Sequence, residues 1–319
     1  MLRSILIYLS KAAWAQNLVT HWGFAWRAAS RFVPGTRLAD AVGAVRQLNA
    51  KNINATLDHL GEHTSTPDEA QQAADEILAT LDEIGRTRIR ANVSIKLTQV
   101  GLGLDESVCA QNLERILLRA RTNGIFIRVD MEDTPYTDQT LDLLYQMRGK
   151  GYENAGAVLQ SYLYRSEEDA RRLLGDKVAI RLVKGAYKEP EDKAFPKKAD
   201  VDANFDLLAK IMLDAAMAAG CPKVSEDGRF PPMPAFGTHD DKRIAFAKQY
   251  AAKIGLPKEA MEFQMLYGIR RDLQDSLAAE GYPVRVYVPF GTHWYPYFVR
   301  RLAERPANIW FFISNYFRK

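Results

Sequence analysis

The sequence predicts an α/β fold, a distorted (β/α)8 TIM barrel with extra N-terminal helices, and three observations carry that prediction. Eight short apolar runs each lead into a polar, helix-compatible segment, the order a closed parallel barrel requires. No run of strands alone breaks the alternation. An open dinucleotide-binding sheet would carry a glycine-rich phosphate turn after its first strand. The nearest match, Gly101 and Gly103 in GLGLDE, follows the second strand and has Glu106 where a third glycine belongs.

The chain's 319 residues, 47% hydrophobic and 26% charged, suit one large barrel with an ordinary globular composition. Residues 1–50 are expected to form an N-terminal helical segment, residues 51–308 the barrel, and residues 309–319 a short apolar tail. In MLRSILIYLSKAAWAQNLVTHWGFAWRAASRF, Lys11 ends the apolar run too early for a signal peptide or a membrane span. Amphipathic helices fit better, with Trp14, Trp22 and Trp26 suited either to a core or to a membrane interface.

The first strand lies in NINATLDHLGE, and its helix in TPDEAQQAADEILATLDEIG. There Thr66 reads as N-cap, Pro67 as the first helical residue, Glu69 as the capping-box partner and Gly85 as the stop. The next strands are ANVSIKLTQ, IFIRVDMED, GAVLQSYLY and VAIRLVKGAY, rich in Val, Ile and Leu. MPAFGTHD, MEFQMLYG and VRVYVPFG complete the eight. Two connections are long: KEPEDKAFPKKADVDA after the fifth strand, where loop 188–203 can serve as a lid, and PKVSEDGRFPPMPA before the sixth.

Composition excludes some functions. The net charge is +4 with Lys and Arg spread along the chain, so no basic stripe invites nucleic acid. Cys109 and Cys221 are far apart and lack a CxxC spacing, which points to a reducing, cytoplasmic setting with no thiolate metal cluster.

Barrel enzymes build their sites at the C-terminal ends of the strands. Lys96 ends the second strand, Asp130 the third and Gln160 the fourth; Arg181 and Lys184 lie on the fifth. Thr238 and His239 follow the sixth, Gln264 is on the seventh and Tyr287 on the eighth. A charge embedded in a strand buried on both faces must be paired or bound. One pair, Lys96 with Asp130, can be structural, but this many sites at one end point to function.

HLGEH, His59 to His63, formally matches an inverted zinc-protease pattern. That pattern needs a helix, whereas here it crosses a strand end and contains Gly61, so no metal is expected. No GxSxG elbow supports a hydrolase. The alternative kept open is a Schiff-base aldolase using Lys96 or Lys184.

Pro296 suits a first helical position, which puts Arg300 and Arg301 in the first two turns of the last helix. Behind Tyr287, Phe290, Trp294, Tyr295, Tyr297 and Phe298, two guanidiniums describe a pocket for a small carboxylic or amino acid.

As a set these segments resemble the proline dehydrogenase family, flavin-dependent enzymes that oxidise L-proline. The resemblance rests on VSIKLTQVGL, IRVDMED, VLQSYLYR, IRLVKGAY, FGTHD, EFQMLYGIRRD and YVPFGTHWYPYFVRRLAERPAN, in that order, and spans about Asn52 to Asn308. The chain ends soon after the last motif, so the resemblance is to the monofunctional bacterial form. It implies a distorted barrel holding FAD and oxidation of proline to Δ1-pyrroline-5-carboxylate, with a membrane quinone as electron acceptor. It further implies a cytoplasmic protein with room for peripheral contact at the inner face of the cytoplasmic membrane.

Carried over by position, the resemblance implies that Arg300 and Arg301 clamp the substrate carboxylate, with Lys96 as a further contact and Tyr287 walling the ring. Asp130 and Arg181 take the catalytic positions, Arg181 also facing the flavin. Met131, Gln160, Lys184, Gly185, Ala186, Thr238 and His239 hold FAD, and Tyr187 and Gln264 lie along it.

Overall fold

The structure is a computed structural model that describes residues 23–61 and 63–304. The predicted helices around Trp14 and Trp22, and the apolar tail 309–319, lie outside the described residues. Eight parallel strands close into a barrel in sequential order, β1 pairing with β8. They are β1 (Asn54–His59), β2 (Ala91–Ile95), β3 (Ile127–Val129), β4 (Ala155–Gln160), β5 (Ile180–Val183), β6 (Pro234–Gly237), β7 (Glu262–Leu266) and β8 (Val284–Phe290).

Helices α3 (Pro67–Thr87), α4 (Glu106–Thr122), α5 (Thr137–Gly149), α6 (Ser166–Gly175), α7 (Lys198–Ala218), α8 (Asp241–Ile254), α9 (Arg271–Ala279) and α10 (Trp294–Glu304) follow the strands in turn. Ahead of them come α1 (Gly23–Ala29) and α2 (Leu38–Ala50); α2 packs against β8 and β1. The outward residues of the strands and the apolar helix faces share one continuous core. The inward residues, one in two along each strand, are unusually polar: Thr56, Asn92, Arg128, Arg181, Glu262 and Arg285 are all buried.

Helix α3 starts as predicted. Pro67 is its first residue and Thr66 Oγ1 accepts from the Glu69 N–H at 3.2 Å. The Glu69 carboxylate reaches one residue further back than a capping box would, to the Ser65 N–H at 2.7 Å. Gly85 does not stop the helix, which runs on to Thr87 and ends with Arg88 at φ 52°. Gly85 serves close packing instead: a Cβ there would lie 3.1 Å from Asn123 Oδ1.

The last helix also differs from expectation, since α10 begins at Trp294, two residues before Pro296. Proline fits there because the N–H groups of a first turn have no helical partner. The longer start puts Arg300 late in the second turn and Arg301 at the opening of the third. A second cluster holds α10 down: Trp26 of α1 meets Trp294 edge-on at 5.3 Å, and Phe32 meets Phe298 at 6.2 Å.

The loop after β5 is tied to the loop after β4. Phe195 N–H donates to Tyr162 O at 2.7 Å and Tyr164 N–H to Lys193 O at 3.1 Å. Glu189 accepts from the Thr134 N–H at 3.0 Å.

Candidate active site

A cavity of about 420 Å³ opens at the C-terminal end of the barrel. All fifteen residues that the sequence singles out as site candidates line it: Lys96, Asp130, Met131, Gln160, Arg181, Lys184, Gly185, Ala186, Tyr187, Thr238, His239, Gln264, Tyr287, Arg300 and Arg301. Lys96 and Asp130 stand one residue beyond β2 and β3; Gln160 is the last residue of β4. Tyr287 lies in the middle of β8, not at its end. The barrel's stagger explains the difference: β8 extends to Phe290, beside His59.

The centre of the cavity wall is a charge network. Arg181 Nη1 donates to Asp130 Oδ1 at 2.9 Å and to Ser94 Oγ at 3.1 Å. Ser94 Oγ donates to the same carboxylate oxygen at 2.8 Å. Tyr287 Oη donates to Asp130 Oδ2 at 3.0 Å. Lys96 Nζ stands 3.5 Å from Asp58 and 3.6 Å from Asp130, and 3.4 Å from Tyr287 Oη. The Lys96–Asp130 pair read from the sequence therefore exists, but it is the looser half of a larger cluster.

Burial and neighbouring charge set the protonation of this cluster. Burial pushes the Tyr287 phenol well above its ordinary value, and the charges of Asp130 and Asp58 push it further. Tyr287 is thus a permanent donor at working pH. Burial also raises the Asp58 carboxyl, against the opposing pull of Lys96.

Asp58 is missing from the sequence-based set, although the same rule, a charge embedded in an apolar strand, picks it out of ATLDH. Ser94 is also missing, and Tyr297 enters only as one of the aromatics around the two arginines. Ser94 precedes Lys96 by two and so shares its inward face, while Tyr297 precedes Arg301 by one helical turn and lies under its guanidinium at 5.0 Å.

The rim beside β5 and β6 is held by ion pairs. Lys184 Nζ contacts Asp202 at 2.5 Å and Asp240 at 2.6 Å. Burial raises both carboxyls, but the hydrogen bond and charge of Lys184, joined by Lys198 at Asp202 and by the Lys242 N–H at Asp240, together hold them below the usual carboxylate range. Each of the two lysines considered for a Schiff base thus sits between two carboxylates, a setting that suits an ammonium and not an amine nucleophile. His239 Nε2 accepts from the Leu266 N–H at 3.0 Å.

HLGEH crosses the end of β1, with Glu62 outside the described residues. His59 Nδ1 lies 3.1 Å from Glu76, and the His63 ring packs 5.9 Å from Tyr136. No group of three potential metal ligands occurs among the described residues.

Fold and site together define a (β/α)8 barrel with a cavity at the C-terminal end of its strands, lined by ionisable side chains. The proline dehydrogenase family model matches residues 41–312. The chain is 40% identical to proline dehydrogenase 1 of Bacillus subtilis over the whole of both chains. It is 42% identical to proline dehydrogenase of Deinococcus radiodurans over 91% of this chain and 90% of that one. A crystal structure of proline utilization A from Bdellovibrio bacteriovorus, inactivated by N-propargylglycine, superposes with a TM-score of 0.79 at 26% identity, covering 88% of this chain and 33% of that one. The chain belongs to the proline dehydrogenase family, and is an oxidoreductase of proline.

Proposed function

We propose that this protein binds FAD, oxidises L-proline to Δ1-pyrroline-5-carboxylate and delivers the electrons to a quinone. The observation that carries the reading is the gathering of Lys96, Arg181, Arg300 and Arg301 around one cavity, with Asp130 and Tyr287 between them.

The chain's residues fit the cofactor. Gly185 has φ +112°, and a Cβ there would come within 2.4 Å of the Tyr162 ring, so only glycine lets the backbone pass. With Lys184 and Ala186 it offers the cation and backbone N–H groups that a pyrophosphate needs. Met131, Gln160, Tyr187, Thr238, His239 and Gln264 furnish the remaining wall. When bound, the flavin supplies a two-electron acceptor for the hydride leaving the carbon next to the proline nitrogen.

The protein's own part is positioning. Arg300 and Arg301 hold the substrate carboxylate from the last helix, and Lys96 reaches it from β2. With that end fixed, the Tyr287 ring limits the remaining orientations of the rigid substrate. Asp130 carries negative charge beside the reacting end, and its bonds from Arg181, Ser94 and Tyr287 keep it in place. The quinone and a peripheral membrane contact draw support from the apolar N-terminal sequence; among the described residues no helix is long and apolar enough to cross a membrane.

The test is the visible spectrum of the purified protein. Flavin absorbance that bleaches on anaerobic addition of L-proline is expected. A colourless protein that borohydride inactivates in the presence of a keto substrate would establish the aldolase alternative instead.

A further inference from the structure

We propose that the buried ion pair of Glu262 and Arg285 is a positioning device for Arg181, acting through the side-chain amide of Gln264. Glu262 and Arg285 are fully buried inside the barrel. Arg285 grips the carboxylate with two hydrogen bonds, Nε to Oε1 and Nη2 to Oε2, each 2.9 Å. Two further donors go to backbone, Nη1 to Ala55 O and Nη2 to Gly228 O, both at 2.9 Å. The pair is therefore locked to β1, β7, β8 and the loop below the barrel.

Glu262 and Gln264 are two residues apart on β7 and so share its inward face. Gln264 Nε2 donates to Glu262 Oε1 at 2.5 Å, and Gln264 Oε1 accepts from Arg181 Nε at 2.5 Å. A glutamine amide has an acceptor end and a donor end of nearly the same shape, and its neighbours decide which way round it sits. Arg181 can only donate and ionised Glu262 can only accept, so together they permit one orientation. That orientation anchors Arg181 by Nε while Nη1 holds Asp130 and Ser94. Nη2 is left buried, without a hydrogen-bond partner among the described residues, on a side chain that lines the cavity.

A buried ion pair contributes little net stability compared with well-packed apolar residues of the same volume. Its use here is directional: it passes a fixed hydrogen-bond polarity from the centre of the barrel to the catalytic wall. The inference rests on the flavin reading for the role of Arg181, and wild-type protein serves as the control for that reading.

The test compares wild type, Glu262→Gln and Arg285→Lys. An amide at position 262 turns an N–H donor toward either Arg285 or the donating end of Gln264, so Glu262→Gln loosens the hold on Gln264. The rate of flavin reduction by proline is expected to fall about tenfold or more while the KM for proline changes less than about threefold, the signature of a lost chemical-step interaction. FAD affinity, read by fluorescence quenching, is expected to change less than about threefold, because neither Glu262 nor Arg285 lines the cavity. In Arg285→Lys a point charge replaces the two-pronged grip on the carboxylate, and the rate is expected to fall at least about threefold with the KM for proline again changing less.

The relay is overturned by an undiminished rate in Glu262→Gln, or by a KM for proline that changes as much as the rate. If Glu262→Gln does not fold, Arg285→Lys decides alone: an undiminished rate overturns the relay. Wild type that proline cannot reduce sinks the flavin reading itself, and the relay with it.

Discussion

Individual side chains in the cavity wall make opposite demands on solvent and charge, and these demands predict separable phenotypes. Arg301 lines the cavity with its guanidinium stacked over Tyr297. Loss of a charge-assisted contact to a bound carboxylate costs roughly 2 to 4 kcal/mol. For Arg301→Met this raises the KM for proline roughly thirtyfold to several hundredfold, measurable in steady-state assays; an unchanged KM rules out the clamp. Asp58 predicts a pH effect on stability. Its folded carboxyl is raised by burial, against Lys96, so above the unfolded value of about 3.9 the native state retains a proton that the unfolded chain has lost. Stability then falls as pH rises through that window, and the cost persists above the folded value. Asp58→Asn removes this penalty, so its stability relative to wild type should climb as pH rises above about 4 in urea titrations. A difference that does not vary with pH would contradict the burial of a charged Asp58.

Among the elements, those with strong local signals were legible in the sequence and those defined by distant partners were not. Thr66, Pro67 and Glu69 announce the start of α3 through bonds made within four residues. Its end was misread at Gly85, because what requires that glycine is Asn123, a contact across the fold. Likewise Pro296 marks α10 without marking its first residue, since a proline fits anywhere in a first turn. The turn after β5 is the sharpest case of local backbone serving the site. Gly185 combines φ +112° with a Cβ position 2.4 Å from Tyr162, and that ring is itself held, its hydroxyl 3.3 Å from Glu189. Gly185→Ala must therefore strain the backbone and displace a packed ring, at a cost of at least about 2 kcal/mol. The variant should unfold at lower urea and retain less flavin through purification, whereas Gly124→Ala, which meets nothing within 4 Å but has φ +62°, should lose stability without losing flavin.

At the scale of the whole molecule the barrel divides into a functional end and a closed end. Alternation of strand and helix made the barrel readable, and charges embedded in apolar strands made its C-terminal end readable, because both patterns repeat along the chain. The closed end left no such trace. The connection PKVSEDGRFPPMPA stands out in the sequence only by its length, yet Arg229 within it donates to Asn123 O at 3.1 Å and to Ile84 O at 3.2 Å. Those partners are backbone carbonyls 106 and 145 positions away, and a carbonyl carries no sequence signature. Gly228, its neighbour, accepts from Arg285, so the loop also caps the polar interior of the barrel. This division predicts that damage at the closed end is paid in stability and not in substrate recognition. Arg229→Ala removes a charged donor from the ends of α3 and α4, and hydrogen bonds from such a donor contribute about 1.5 to 3 kcal/mol. The unfolding midpoint should drop by roughly 5 °C, read by circular dichroism, while the KM for proline at 25 °C stays as in wild type. A raised KM with an unchanged midpoint would show instead that the loop communicates with the pocket, and would move the functional boundary to the bottom of the barrel.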